Sequence, residues 1–232
     1  VADLVARKIP LLASLLRSSA LPPQDVWFAG EPVRYYYGGH MPAAVFALLT
    51  DTPARFAYNT ALAGYFAAYV TAAWGLAGAI AGGIGRPYRI GGGLAAFFVA
   101  IASNLSPPLR LLIWVLPGDA GTRFAELVSL EVRGLATGPM DFNYWFASRV
   151  IDWKVIGGDQ WHLINEFPFF AFLNGDLHAH MMSPVFLLLG TGLAYSYWRT
   201  PARCSLRRRL LVFGAIPPIA GMLVVVNTWS FP

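Results

Sequence analysis

Long apolar blocks without charge alternate along this chain with short basic or aromatic segments. Four stretches contain no Asp, Glu, Lys or Arg: Phe56–Gly85, Ile90–Leu109, Leu177–Trp198 and Leu210–Pro232. Each reaches the ~20 residues that a helix needs to cross hydrocarbon. Pro53 is expected to start the first long helix, which runs through Gly83. Its small residues (Ala57, Ala61, Gly64, Ala68, Ala72, Gly75, Gly78, Gly82) favour close helix packing in lipid. Gly83–Ile90 reads as a short turn, and Gly91–Leu105 as the return, which Pro107 and Pro108 break or kink. Met181–Trp198 and Leu210–Val226 read as the last two spans, with Pro217 and Pro218 kinking the latter.

Two apolar segments are too short or too charged to span. Ala2–Leu21 carries Leu4, Val5, Leu11, Leu12, Leu15 and Leu16 with Arg7, Lys8 and Arg17 between them, the pattern of an amphipathic helix at the membrane interface. Met41–Leu49 is half a span and reads as a short or re-entrant helix. Leu109–Asp176 is mixed and rich in Trp, Phe and Tyr, which favour the interface.

Composition supports the membrane class. The chain of 232 residues is 56% hydrophobic and 12% charged, whereas soluble domains average about 25% charged. The expected fold is therefore an all-α polytopic transmembrane bundle, with about four spans plus interfacial and re-entrant helices. Residues 1–232 read as one membrane-embedded module, a piece of a longer polytopic protein. It comprises an interfacial helix (1–21), an outer loop (22–40), a short helix and two spans (41–106), an outer loop region (107–180), and two spans around a basic loop at 199–209 (181–232).

The net charge is +5, and its placement matters more than its size. Arg199, Arg203, Arg207, Arg208 and Arg209 cluster between two apolar spans. That context makes them a positive-inside loop and argues against nucleic-acid binding. Arg86 and Arg89 belong to the same side. Counting spans outward then places Asp25–His40, Pro107–His180 and Asn227–Pro232 on the opposite, extracytoplasmic face, with His40, His162, His178 and His180 among them. The plasma (inner) membrane is the expected location. Cys204, the single cysteine, permits no internal disulfide and falls in the basic loop.

Candidate chemistry concentrates in Asn165–His180. This segment holds Glu166, Asp176, His178 and His180 in a chain with 12 acidic residues and 4 histidines. Ionisable groups are costly near lipid and usually functional there. On an extended backbone Asp176, His178 and His180 point to one side, where they could hold a divalent metal or a phosphate; a hydrogen-bonded helix cap is the plainer alternative. Glu166 and Asp176 could form a carboxylate pair with Asp25 and deprotonate an acceptor, or make salt bridges to Arg149 or Lys154. Trp27 and Tyr35-Tyr36-Tyr37-Gly38-Gly39-His40 could stack on a sugar, or form an aromatic belt.

The blocks Pro22–Gly30, Tyr35–His40, Ile164–Pro168, Gly175–His180 and Asn227–Pro232, in this order, resemble the Chlor-Arch-YYY membrane family, a multi-spanning domain of formally unknown function. That family is similar to the GT-C glycosyltransferases, polytopic enzymes that use polyprenyl-phosphate sugars and outward-facing acidic loop residues. The resemblance implies transfer of a sugar from a polyprenyl-phosphate donor at the extracytoplasmic face. It implies Asp25, Glu166 and Asp176 as catalytic acids, Asp25 being the first choice of base. Trp27, Tyr35, Tyr36, Tyr37, His40, Arg149, Asn165, His178, His180, Asn227 and Trp229 would bind the donor. Its partners would be membrane lipid, lipid-linked sugar and other subunits of a membrane complex. Val26, Gly38 and Ser230 depart from the family pattern, which has Pro, an aromatic and Asp there. Two other readings stay open: a metal-dependent membrane hydrolase on Asp176, His178 and His180, and a non-catalytic structural subunit.

Overall fold

A computed structural model describes residues 2–102, 106–117, 119–127, 148, 151–154, 160–163, 167–201 and 205–230. The Cα packing separates two compact units where the sequence suggests one module: residues 1–100 with 171–232, and residues 101–170.

The larger unit is helical. It contains α1 (Ala2–Arg17), a 3-10 turn (Gly38–His40), α2 (Met41–Thr50), α3 (Ala54–Gly83) and α4 (Tyr88–Ala100). The smaller unit holds α5 (Ser106–Val115) and α6 (Ala120–Leu127), then a ribbon of β1 (Ile151–Lys154) and β2 (Gln160–Leu163). Next comes α7 (Pro168–Leu173), and the larger unit resumes with α8 (Ala179–Trp198), α9 (Leu206–Val226) and a final 3-10 turn, Thr228–Ser230. The ribbon is antiparallel, Ile151 opposite Leu163 and Lys154 opposite Gln160. With an isolated antiparallel bridge between Gln24 and Pro32, it is the β structure among the described residues of a mainly helical chain.

Among the described residues two helices, α3 and α9, are long and apolar enough to cross a membrane. At 1.5 Å per residue α3 extends for ~45 Å and α9 for ~31 Å, against a hydrocarbon core of ~30 Å. The other two expected spans fall short for different reasons. α4 has only 13 residues, because Ala100 ends it and Ser106 starts a new helix with Pro107 and Pro108 in its first turn, where proline is tolerated. α8 has 20 residues, but His180, Ser183 and three ring-polar residues near its end (Tyr195, Tyr197, Trp198) dilute its hydropathy.

The helix ends follow from local chemistry. Asp51 stops α2 in the left-handed conformation at φ 51°. Ser205 caps α9, its Oγ accepting the Arg208 N–H at 3.3 Å. This cap places Arg207, Arg208 and Arg209 on the helix rather than in the loop expected over 199–209. Cys204 and Arg203 lie outside the described residues.

α1 is not simply an interfacial helix. Leu11, Leu12 and Leu15 are buried, and Leu12 and Leu15 join Ala43, Ala47, Ala57, Tyr58, Met182 and Val226 in one core cluster. α3 and α4 pack closely where glycine removes a side chain: a Cβ on Gly92 would meet the Trp74 ring at 2.8 Å, and one on Gly78 the Tyr88 ring at 2.7 Å.

The larger unit has two distinguishable ends. α3 and α8 start at one of them, where Tyr58 reaches Gly175, and finish at the other, where Tyr195 bonds Ala79. α9 runs back, from Ser205 to Asn227. The sequence blocks around His40, His178 and Asn227 therefore share one end, and Arg86, Arg199 and Arg208 share the other, as the loop count predicts.

Candidate functional site

The site is built at the motif end by two tyrosines of α3. Tyr58 and Tyr65 are seven residues apart, about two helical turns, so they share a face. The buried Tyr58 hydroxyl donates to the Gly175 carbonyl at 3.1 Å and accepts from the Leu177 N–H at 3.0 Å. The Tyr65 hydroxyl donates to the Gly39 carbonyl at 2.7 Å. One helix face thus holds both the Tyr35–His40 block and the Gly175–His180 block. Neither tyrosine stood out in the sequence; the available signal was a polar tip on an otherwise apolar span, repeated after seven residues.

Glycine sets how tightly the blocks meet. A Cβ on Gly38 would lie 2.6 Å from the Val225 carbonyl oxygen of α9, and one on Gly39 would collide with the Met182 side chain of α8. The aromatic usual at Gly38 in the resembled pattern has no room here.

At the surface of this junction the Tyr35 hydroxyl lies 3.4 Å from His178 Nε2. The His178 and His180 rings have centroids 4.3 Å apart. The Tyr36 ring lies beside Tyr35, tilted by 59° at a centroid distance of 5.6 Å. His178 is half-buried, whereas His180 and Tyr35 are exposed. His178 precedes α8 in an extended conformation (φ −88°, ψ 150°), and its carbonyl accepts from Met181 and Met182. The helix start therefore directs the two imidazoles to the same lip.

The backbone from Asp176 to His178 is not the extended one that the sequence pattern suggests. The His178 N–H donates to the Asp176 carbonyl at 2.9 Å, a three-residue turn that breaks the period-two alternation. Asp176 is 7% exposed. Among the described residues no three His, Cys, Asp or Glu side chains are placed to hold a metal ion. The metal set Asp176, His178 and His180 is accordingly not assembled, and the turn at Leu177 is the reason.

The other candidates fall in three places. His40 is 0% exposed and sits inside the junction rather than on its surface; Tyr37 is half-buried beside it. Asn227 is also buried, its Nδ2 donating to Ser183 Oγ at 3.3 Å and Ser230 Oγ at 3.1 Å. Ser183 and Ser230 hydroxyls are 2.9 Å apart. Ser230, where the resembled pattern has Asp, thus completes an internal hydroxyl–amide cluster that ties the end of α9 to α8. Trp229 is 90% exposed.

Asp25 lies in a different setting. Its Oδ1 accepts from the Trp27 N–H at 2.8 Å and the Phe28 N–H at 3.2 Å, the self-bonded turn typical of Asp. It lines a polar cavity of about 720 Å³ with Ser14, Arg17 and Gln24. That lining includes none of His40, Asp176, His178 and His180. The loop between Gln24 and Gly39 reaches His178 through Tyr35, but Asp25 itself does not enter the imidazole cluster. Trp27 and Phe28 are exposed on this loop. Arg149, Asn165 and Glu166 lie outside the described residues, as do the side-chain surroundings of His162 and Lys154.

A family model described as an uncharacterized membrane protein, DUF2298, matches residues 9–232. No curated protein matches the chain, and no solved structure matches it.

Proposed function

The chain belongs to the DUF2298 family of uncharacterized membrane proteins, and from that premise we propose that it transfers a sugar from a polyprenyl-phosphate donor at the membrane surface. The observation that carries this reading is the lip of His178, His180 and Tyr35, two imidazoles and a hydroxyl gathered where a spanning bundle meets water. An anion resting at the outer edge of this lip would take hydrogen bonds from imidazole N–H and the Tyr35 hydroxyl. Transfer breaks the bond from sugar C1 to the phosphate oxygen and forms one from C1 to the acceptor oxygen. The phosphate leaves with the electron pair, so the step needs charge neutralisation more than covalent help. The acceptor proton goes to a carboxylate. The resemblance offers Asp25 first for that role, with Asp176 and Glu166 as rivals; because Asp25 lines a separate cavity, it serves only if the acceptor reaches from the Trp27 loop to the lip. Trp27, Tyr35 and Tyr36 offer ring faces to the sugar; Arg149 and Asn165 are assigned to the donor by the resemblance alone.

The finer topology belongs to the same proposal. α3 and α9 span the membrane, α8 and the shorter α4 are the two further passes of the expected four, the arginine end faces the cytoplasm by the positive-inside rule, and the histidine lip faces outward at the plasma membrane. The resemblance to GT-C enzymes supports this arrangement.

The second reading is a non-catalytic subunit. It is favoured by the internal bonding of Asn227 and the burial of Asp176, and by the exposed Trp27, Phe28 and Trp229, which would face a partner. The metal-dependent hydrolase loses support with its unassembled ligand set.

The complete protein in lipid nanodiscs should consume a radiolabelled polyprenyl-phosphate sugar and release polyprenyl phosphate over time. Donor that stays intact across a panel of acceptors, with the fold preserved, would favour the subunit reading.

A further inference from the structure

The opposite end of the larger unit carries a groove that the transfer chemistry does not use. It lies between α3 and α8, holds about 510 Å³, and is lined by Ala72, Gly75, Gly82, Gly192, Arg199 and Arg208 among others. Part of the small-residue face of α3 is not spent on helix packing: a Cβ added at Gly75 or Gly82, or at Gly192 across the groove, meets no atom within 4 Å. From Ala72 to Gly83 the groove follows α3 for ~17 Å.

The charge at its mouth is uncompensated within these segments. Residues 52–118 and 177–232 contain no Asp or Glu. Among the described residues Arg199 and Arg208 form no ion pair with a carboxylate. Arg208 also stands in the first turn of α9, which holds no acidic residue. Cations there oppose the helix dipole, so an anion would relieve the repulsion and satisfy the guanidinium groups together.

We propose that this groove binds an anionic phospholipid, with an acyl chain along Ala72–Gly82 and the phosphate between Arg199 and Arg208. The apolar length beside the arginines selects a lipid over a free anion. The Tyr195 hydroxyl is committed to the Ala79 carbonyl at 3.2 Å and closes the floor. The site is ~30 Å along α8 from His180 and does not depend on the transfer reading. It depends on the family's membrane character alone.

The test uses the complete protein, delipidated in neutral detergent, titrated with phosphatidylglycerol or with phosphatidylcholine of the same chains. Native mass spectrometry counts bound lipid. Phosphatidylglycerol should bind preferentially, and the double variant Arg199→Gln/Arg208→Gln should weaken it about 30-fold, since each arginine near a lipid phosphate contributes ~1 kcal/mol. Gly75→Leu should also weaken it, because the new side chain fills the groove; Gly192→Leu checks the same point from α8. Both enter open space, so melting temperature should hold. Inorganic phosphate at millimolar concentration should not displace the lipid. Unchanged phosphatidylglycerol affinity in the double arginine variant would overturn the proposal. So would full lipid binding in both leucine variants with displacement by phosphate, which would mark a free-anion site.

Discussion

His178→Ala in the complete protein should slow lipid-linked sugar transfer by about 100-fold or more, the usual effect of removing one charge-stabilising donor from a preorganised site. Its melting temperature should barely move. The ring lies half-exposed at the lip, in contact with Tyr35 and His180, and the backbone turn that fixes its position is made by its N–H and carbonyl, which alanine keeps. A purely structural role gives the reverse pattern, early melting with full specific activity. Measuring both quantities on one preparation separates the two, and early melting with full activity would remove the lip from the mechanism.

Tyr58→Phe should have the largest effect on stability. The ring remains, so packing in the core is preserved, but the Leu177 N–H and the Gly175 carbonyl both lose their partner. A buried backbone group left unsatisfied costs about 1–3 kcal/mol, which applies in full to the Leu177 N–H and in part to the half-buried Gly175 carbonyl. Transfer should fall as well, because the Gly175–His180 block is released from α3. Tyr65→Phe removes one bond, to Gly39, and should cost about half as much. Chemical denaturation in detergent reads both. If Tyr58→Phe were as stable as the parent protein, the tyrosine face of α3 would not be what holds the site together.

Much of the helical frame is legible in the sequence, since lipid demands long charge-free runs and the chain marks their ends with arginine, proline and serine. The run Phe56–Gly85 becomes α3 at Ala54–Gly83, and Leu177–Trp198 becomes α8 at Ala179–Trp198. The loop count correctly groups Arg86 with Arg199 and His40 with His178, because antiparallel returns leave no other pairing. Ile90–Leu109 is misleading: absence of charge does not by itself make a continuous helix, and the chain breaks it after Ala100.

The site is less legible, because its geometry depends on local hydrogen bonds that periodicity does not encode. Asp176 and His178 alternate in sequence yet are separated by a turn at Leu177. Asp25 looks like a free carboxylate but organises its own loop through Trp27 and Phe28. Asn227 and His40 look like ligands and lie inside the junction. The strands Ile151–Lys154 and Gln160–Leu163 carry a readable signal, aromatic and β-branched residues on either side of the sequence Gly157-Gly158-Asp159, which the aromatic richness of the segment obscures.

The most direct test of the central claim is photocrosslinking with a polyprenyl phosphate that carries a diazirine next to the phosphate, in membranes containing the complete protein. The account predicts label on peptides holding Tyr35–His40 and Asp176–His180, lost on competition with unlabelled donor and weakened in His178→Ala. Label confined to other segments, or unaffected by competing donor, would contradict the assignment of the histidine lip as the phosphate site.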